Sequence, residues 1–250
     1  MSTKRVAVVL AAIMILCVAS IQAAPQLMMQ DTVYDFGYVP QNAHISHIFW
    51  LKSVGTDTLR IVKVTPGCGC TQAPIDKDEL PPKDSTRLEI IFNTGSYMGP
   101  VEKTPRFSLN DSIGEHVIHF RANVEQRPDS TFPLIISPYK LDISQFGEKP
   151  RTEIRFTIRN VSTQPVKTDL ISYASDFFQV ELPKSIDPGK SADGLIRLSK
   201  EAAAKDFEKS FTFQLNDERQ SRYTIPVKRT LRSLQTSSTT TTTAVPTSGH

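Results

Sequence analysis

The chain has 250 residues, of which 39% are hydrophobic, 22% charged and 8% aromatic, enough apolar content for a packed core and too much for a wholly disordered chain. Seventeen prolines argue against a bundle of long helices, and eleven glycines are too few for a collagen-like repeat. A net charge of only +3, with no basic stripe, excludes the usual profile of a nucleic-acid binder.

In chain order, residues 1–23 read as a secretory signal. Lys4 and Arg5 supply the positive start, Val6 to Ala19 an apolar run too short to span a bilayer comfortably, and Ala23 a small residue at the cleavage point. A lipid anchor on Cys17 is disfavoured because Met14, Ile15 and Leu16 include no small residue just before it. The mature chain is therefore expected to be exported, periplasmic or extracellular, with no membrane span, since no second long apolar run follows. It keeps only Cys68 and Cys70, too few for a disulfide framework.

Beyond the signal, short alternating runs are separated by turn residues. The pattern predicts strands over 32–36, 45–52, 59–64, 87–92, 105–109 and 115–124, spaced as in an all-β sandwich. A single helical stretch is expected over 200–209, with Ser199 as N-cap. Past Leu234 the chain is nearly all Ser and Thr and reads as a disordered tail, 235–250.

The sequence also repeats itself. Phe107, Leu109, Asn110 and Asp111 recur as Phe213, Leu215, Asn216 and Asp217, an offset of 106. Pro82 and Ser85, before one strand, recur as Pro188 and Ser191 at the same offset, and the run from Phe49 to Thr56 aligns with that from Phe156 to Thr163 at 107. Three collinear matches predict two copies of one domain, 24–127 and 128–234, joined near Arg127 and Pro128, where the chemistry is that of a linker. The first copy is slightly acidic and the second slightly basic.

The repeat is an internal control on burial, because alternate strand residues share a face. Phe49 and Leu51 match Phe156 and Ile158, which marks the core face in both copies. On the opposite face the second copy has Arg155, Thr157 and Arg159, whereas the first has Ile48, Trp50 and Lys52. Ile48 and the chain's one tryptophan thus occupy positions that are solvated in the sister copy. Either they are buried against the second domain, or they form a partner-binding patch.

The sharpest local feature is Cys68-Gly69-Cys70-Thr71. Gly69 permits a turn that brings the two cysteines within disulfide range. A structural disulfide, a pair of buried thiols, a labile redox bond and a soft-metal (copper or zinc) site all fit the pair. For a metal, His44, His47, His116 and His119 are the candidate additional ligands, although a spacing of three on a strand sends the members of each pair to opposite faces. At the equivalent place the second copy has Ala174, Ser175 and Asp176, so that copy should fold without thiols.

Around this motif the first copy resembles a family of secreted bacterial immunoglobulin-like domains of unassigned function. The resemblance rests on Tyr34-Asp35-Phe36-Gly37, on His47 and Phe49, on Ser53 and Gly55, on the Cys-Gly-Cys-Thr run, on Pro82 to Ser85, and on the strand ending at Phe92. It covers residues 31–125 and is similar also to ASH and major-sperm-protein-like domains. It implies a β-sandwich of seven or eight strands and export, and implies no reaction. The fold expected is all-β, two tandem immunoglobulin-like sandwiches with a disordered tail.

Other chemistry is thin. Nucleophile-elbow, phosphate-loop, zinc-protease and dinucleotide patterns are all missing from the sequence. Asp76, Asp78 and Glu79 lack the spacing of a calcium loop and read as a solvated loop. Asn110 and Asn160 stand in glycosylation sequons, or serve as turn residues in a bacterial protein. The expectation is an exported, non-catalytic interaction or structural module of the cell envelope with a protein partner and no cofactor. The alternative is an envelope thiol protein that uses Cys68 and Cys70.

Overall fold

The computed structural model describes residues 23–147 and 149–232. The signal segment through residue 22, with Cys17, and the Ser/Thr-rich tail lie outside the described residues. The fold is all-β, built of several sheets, with apolar residues alternating inward as the sequence predicts. In the strand Ser85–Asn93, Thr86, Leu88, Ile90 and Phe92 are buried while the residues between them are not. No helix among the described residues is long and apolar enough to cross a membrane.

By compactness the chain divides into two units that cut across the sequence repeat. The first takes the residues up to Val33, Ile48–Ile90 and Thr104–His119; the second takes Tyr34–His47, Ile91–Lys103 and everything from Phe120. The first unit holds a sheet in the order Leu27–Met29, His44–Ser53, Ser85–Asn93, Thr71–Gln72, of which two strands continue into the second unit. Its other sheet runs Glu115–Val117, Arg106–Leu109, Leu59–Thr65, Glu79–Leu80. Phe49, Leu51, Leu59, Leu88, Ile90 and Phe107 are among its buried side chains.

The second unit is built on a long sheet. Its order is Ser185–Ile186, Val166–Tyr173, Phe207–Leu215, Arg222–Arg229, Val33–Pro40, His119–Glu125, Gly99–Lys103, with Leu141–Asp142 also pairing to Arg222–Arg229. A second, antiparallel sheet runs Leu134–Ser137, Glu153–Asn160, Ser191–Leu198, Phe178–Glu181. Between them lies a core containing Phe156, Ile158, Phe178, Phe211, Phe213 and Tyr223.

Strands from both sequence copies therefore share one sheet, through a parallel pairing that sets Tyr38 opposite Tyr223. Across it the Thr224 hydroxyl donates to the Phe36 carbonyl (2.6 Å); elsewhere, between Phe207–Leu215 and His44–Ser53, the Ser210 hydroxyl accepts from the Ser46 amide (2.9 Å) and donates to the Ser46 carbonyl (3.0 Å). Gly37 is the closest approach. Its φ is +64°, the Asp35 carboxylate accepts its amide (2.8 Å), and a Cβ at this position would overlap the carbonyl of Arg222.

Hydrogen bonds repeat with the sequence. Asn110 accepts from the Arg60 amide (2.8 Å), and Asn216 from the Lys167 amide (2.6 Å), so each asparagine pins the start of a neighbouring strand. Asp111 and Asp217 then close the following turns through backbone amides. The turn before Ser85 bonds to Ser53 as the turn before Ser191 bonds to Asn160, and Lys83 takes the left-handed φ (+75°) that Gly189 (+68°) takes in the second copy. Asn160 is buried with its amide donating to the Ile186 and Gln164 carbonyls. Asn110 and Asn160 are thus turn residues.

Two expected elements need correction. The strand expected over 115–124 is two strands, Glu115–Val117 and His119–Glu125, which belong to different sheets. The helix expected over 200–209 is a turn followed by the strand Phe207–Leu215. Ser199 does accept from the Ala202 amide (3.2 Å), but the short alanine run cannot sustain a helix nucleus. Its Ala203 carbonyl is taken by the buried guanidinium of Arg229 (2.7 Å), and Phe207 is drawn into the core.

The substitution Gly37→Ala should cost at least about 2 kcal/mol, combining left-handed strain with a backbone clash. Urea unfolding would show the loss, while an alanine at Gly69, where an added Cβ meets nothing within 4 Å, should leave stability within about 0.5 kcal/mol.

Candidate functional site

In the strand His44–Ser53, the side chains of Phe49, Leu51 and Ser53 are buried, Ile48 is half-buried, and Trp50 and Lys52 point to solvent. Trp50 is 56% exposed. Met28 is the cross-strand partner of Lys52 and so shares its face; it is 48% exposed. Arg87 and Glu89 of the next strand stand on the same outward side, with Arg87 paired to Asp76 (2.6 Å). The result is an apolar strip of Met28, Ile48 and Trp50 edged by charges of both signs. In the second copy Arg155 and Arg159 are exposed at the positions matching Ile48 and Lys52, half-buried Thr157 stands where Trp50 does, and Phe156 and Ile158 are buried, as the repeat predicts.

Cys68 and Cys70 are joined in a disulfide, with their α-carbons 5.2 Å apart. The bond spans a tight turn that leads straight into the edge strand Thr71–Gln72 of the same sheet. Gly69 at the tip is exposed, and both cysteines are half-buried. The Thr71 amide donates to the Cys68 carbonyl (3.3 Å). Thr71 is itself buried, and its hydroxyl, facing sulfurs that carry no proton, donates toward Cys68 Sγ at 3.3 Å and lies 3.8 Å from Cys70 Sγ. In the second copy the corresponding turn closes by backbone bonds from Phe177 and Phe178 to the Ala174 carbonyl, and the strand that follows opens on the fully buried Phe178.

The histidines go elsewhere. His44 is ion-paired to Glu208, which also accepts from Lys228 (2.6 Å), beside an open cleft of about 610 Å³ that includes Lys140 and Asp142. His116 bonds Asp111 (2.8 Å) and stacks on Phe107. His119 is exposed at the start of its strand. Among the described residues, no group of three or more His, Cys, Asp or Glu side chains is placed to hold a metal ion. Of the acidic trio, Asp76 pairs with Arg87 and Glu79 with Arg60 (3.0 Å), which accounts for two of its three carboxylates as loop-fixing ion pairs.

His47 has a structural role that its sequence position does not announce. Its ring stacks on Tyr34 with centroids 3.5 Å apart, and Nδ1 shares a hydrogen bond with the Ser172 hydroxyl (3.0 Å). Burial, reinforced by the Arg222 charge, lowers its pKa to about 3.

Residues 27–124 match the family described as a protein of unknown function, DUF1573. Among solved structures, the chain is similar to a protein of unknown function from Porphyromonas gingivalis W83, at 14% identity and a TM-score of 0.34 over 81% of this chain and 98% of that one. It is similar at 11% identity and a TM-score of 0.32 to the VesB protease of Vibrio cholerae, over 41% of this chain and only 32% of that one. A chimeric titin Z1Z2 gives 11% identity and a TM-score of 0.29 over 86% of this chain and all of that one. Superpositions this loose carry no functional argument. No curated protein matches.

The depressed pKa of His47 makes stability depend on pH. Below about pH 6.5 the unfolded chain takes up a proton that the folded chain refuses down to about pH 3, so stability that is fully present above 6.5 is lost as the pH falls through that window. Between pH 7 and pH 5 this site should cost about 2 kcal/mol. Urea unfolding at the two pH values should show a smaller drop in His47→Gln than in the parent.

Proposed function

We propose that the protein is an exported interaction module of the cell envelope, periplasmic or at the cell surface, that binds a protein partner and is not built for catalysis. Its contact surface is the strip of Met28, Ile48 and Trp50. The signal-like residues 1–23 support export, and the resemblance of the first copy to secreted bacterial immunoglobulin-like domains implies export and no reaction. The observation that carries the reading is Trp50, an aromatic side chain 56% exposed on a strand whose sister strand shows arginines at the same face. Tryptophan is among the side chains most often found to dominate binding energy when a partner covers it, and leaving one in water serves no folding purpose.

The test replaces Trp50 with serine and, separately, places a photo-crosslinking residue at position 50 or at the sister position 157 of the protein in its native envelope. A discrete adduct should form from position 50 and not from 157. Trp50→Ser should weaken the isolated complex at least about tenfold. Its melting temperature should stay within about 2 °C of the parent, because an exposed side chain contributes little to the fold. A melting temperature lowered by more than about 5 °C would instead assign Trp50 to the fold, and equal adducts from both positions would remove the surface assignment.

A further inference from the structure

We propose that the Cys68–Cys70 bond is an exchangeable disulfide, an electron acceptor for a dithiol substrate, with Thr71 positioning a hydroxyl to stabilise the departing sulfur. This goes beyond the binding role and does not depend on it. Three observations converge on the same turn.

The first is access. Gly69 is exposed at the tip of the turn, and a Cβ placed on it would meet no atom within 4 Å, so an incoming thiolate has room beside the bond. The second is that the fold has little use for the cross-link. A disulfide that closes a three-residue loop restricts the unfolded chain less than a longer closure would, and the second copy makes its corresponding turn with backbone hydrogen bonds and no sulfur. The third is Thr71. At the head of its strand this copy buries a hydroxyl, and the hydrogen-bond partners of that hydroxyl are the two disulfide sulfurs. Burying a hydroxyl is costly unless it has a partner, and here sulfur, a weak acceptor while bonded, becomes a strong one as a thiolate.

The geometry gives the direction of attack. Thr71 Oγ1 is nearer Cys68 Sγ (3.3 Å) than Cys70 Sγ (3.8 Å), so Cys68 is the better leaving group and Cys70 the sulfur attacked. One thiolate of the dithiol attacks Cys70 Sγ; the Cys68–Cys70 bond breaks, and its electron pair leaves on Cys68, which accepts the Thr71 hydrogen bond. The second thiol of the substrate loses its proton and attacks the substrate sulfur of the mixed disulfide, releasing Cys70. The substrate ends as a disulfide, the protein as a dithiol, and two electrons and two protons have moved from one to the other.

The experiment uses the oxidised mature chain under native conditions, with dithiothreitol as the dithiol probe and reduced glutathione as the monothiol probe. Reactions are quenched with acid, alkylated and read by intact mass and peptide mapping. Two alkyl groups should appear with dithiothreitol while the protein stays folded, and the glutathione adduct trapped on the way should sit on Cys70. Thr71→Val should slow exchange about tenfold, the worth of one hydrogen bond to a charged group, and Thr71→Ser should restore it. A bond that opens only in urea, a Thr71→Val protein that exchanges at the parent rate, or an adduct confined to Cys68 would each overturn the assignment. Trp50→Ser should exchange like the parent, which separates failure here from failure of the binding surface.

Discussion

The structure depends on one backbone contact, the parallel pairing of Val33–Pro40 with Arg222–Arg229. A parallel pair between strands so far apart in sequence costs loop-closure entropy and needs close backbone approach along its length. The chain meets the second requirement with small groups. Gly37 has no Cβ to collide with Arg222, and the Thr224 hydroxyl donates to the Phe36 carbonyl at 2.6 Å. Once that seam forms, Tyr34 and Phe36 are committed to burial, Asp35 is held where it reaches both the Gly37 amide and Arg121 (2.9 Å), and His47 is enclosed against Tyr34. The Tyr-Asp-Phe-Gly run is therefore one device, with each residue serving the same junction.

Much of this was legible in the residues, and the parts that were not share a cause. Alternation exposed the strands because each has one dry face, and the repeat exposed paired turns because Asn110 and Asn216, or Lys83 and Gly189, do the same local job in both copies. Contacts of that kind are written within a few residues. The seam is written across some 190 residues, in threonine and glycine, which carry no hydrophobic period and look like ordinary surface until the partner strand is known. The expected helix at 200–209 failed for the same reason: its local propensity was real, but Phe207 belonged to a core and the Ala203 carbonyl to Arg229, neither visible in the window.

The candidate sites divide along the same line. Trp50 could be singled out because the second copy supplies a control on the same strand face, where Thr157 between two arginines stands against an indole here, a contrast within one chain. Cys68 and Cys70 could be singled out by their spacing. Thr71 could not, since a threonine after a cysteine pair is unremarkable until the structure shows it buried with sulfur as its hydrogen-bond partner. The histidines erred in the opposite direction. They drew attention as metal ligands, whereas His47 and His116 are occupied by ring stacking and neighbouring polar groups.

Duplication relaxes what each copy must do. The second copy spends its equivalent positions on stability: half-buried Phe177, leading into the buried Phe178, stands where Thr71 does in the first, and arginines solvate the face where Trp50 stands. Each replacement in the first copy runs against folding economy, since a buried hydroxyl displaces apolar packing and an exposed indole forgoes burial of its large apolar surface. Both departures fall in the same sheet, one in its second strand and one at its edge, and the sister copy shows that the sandwich can be built without either.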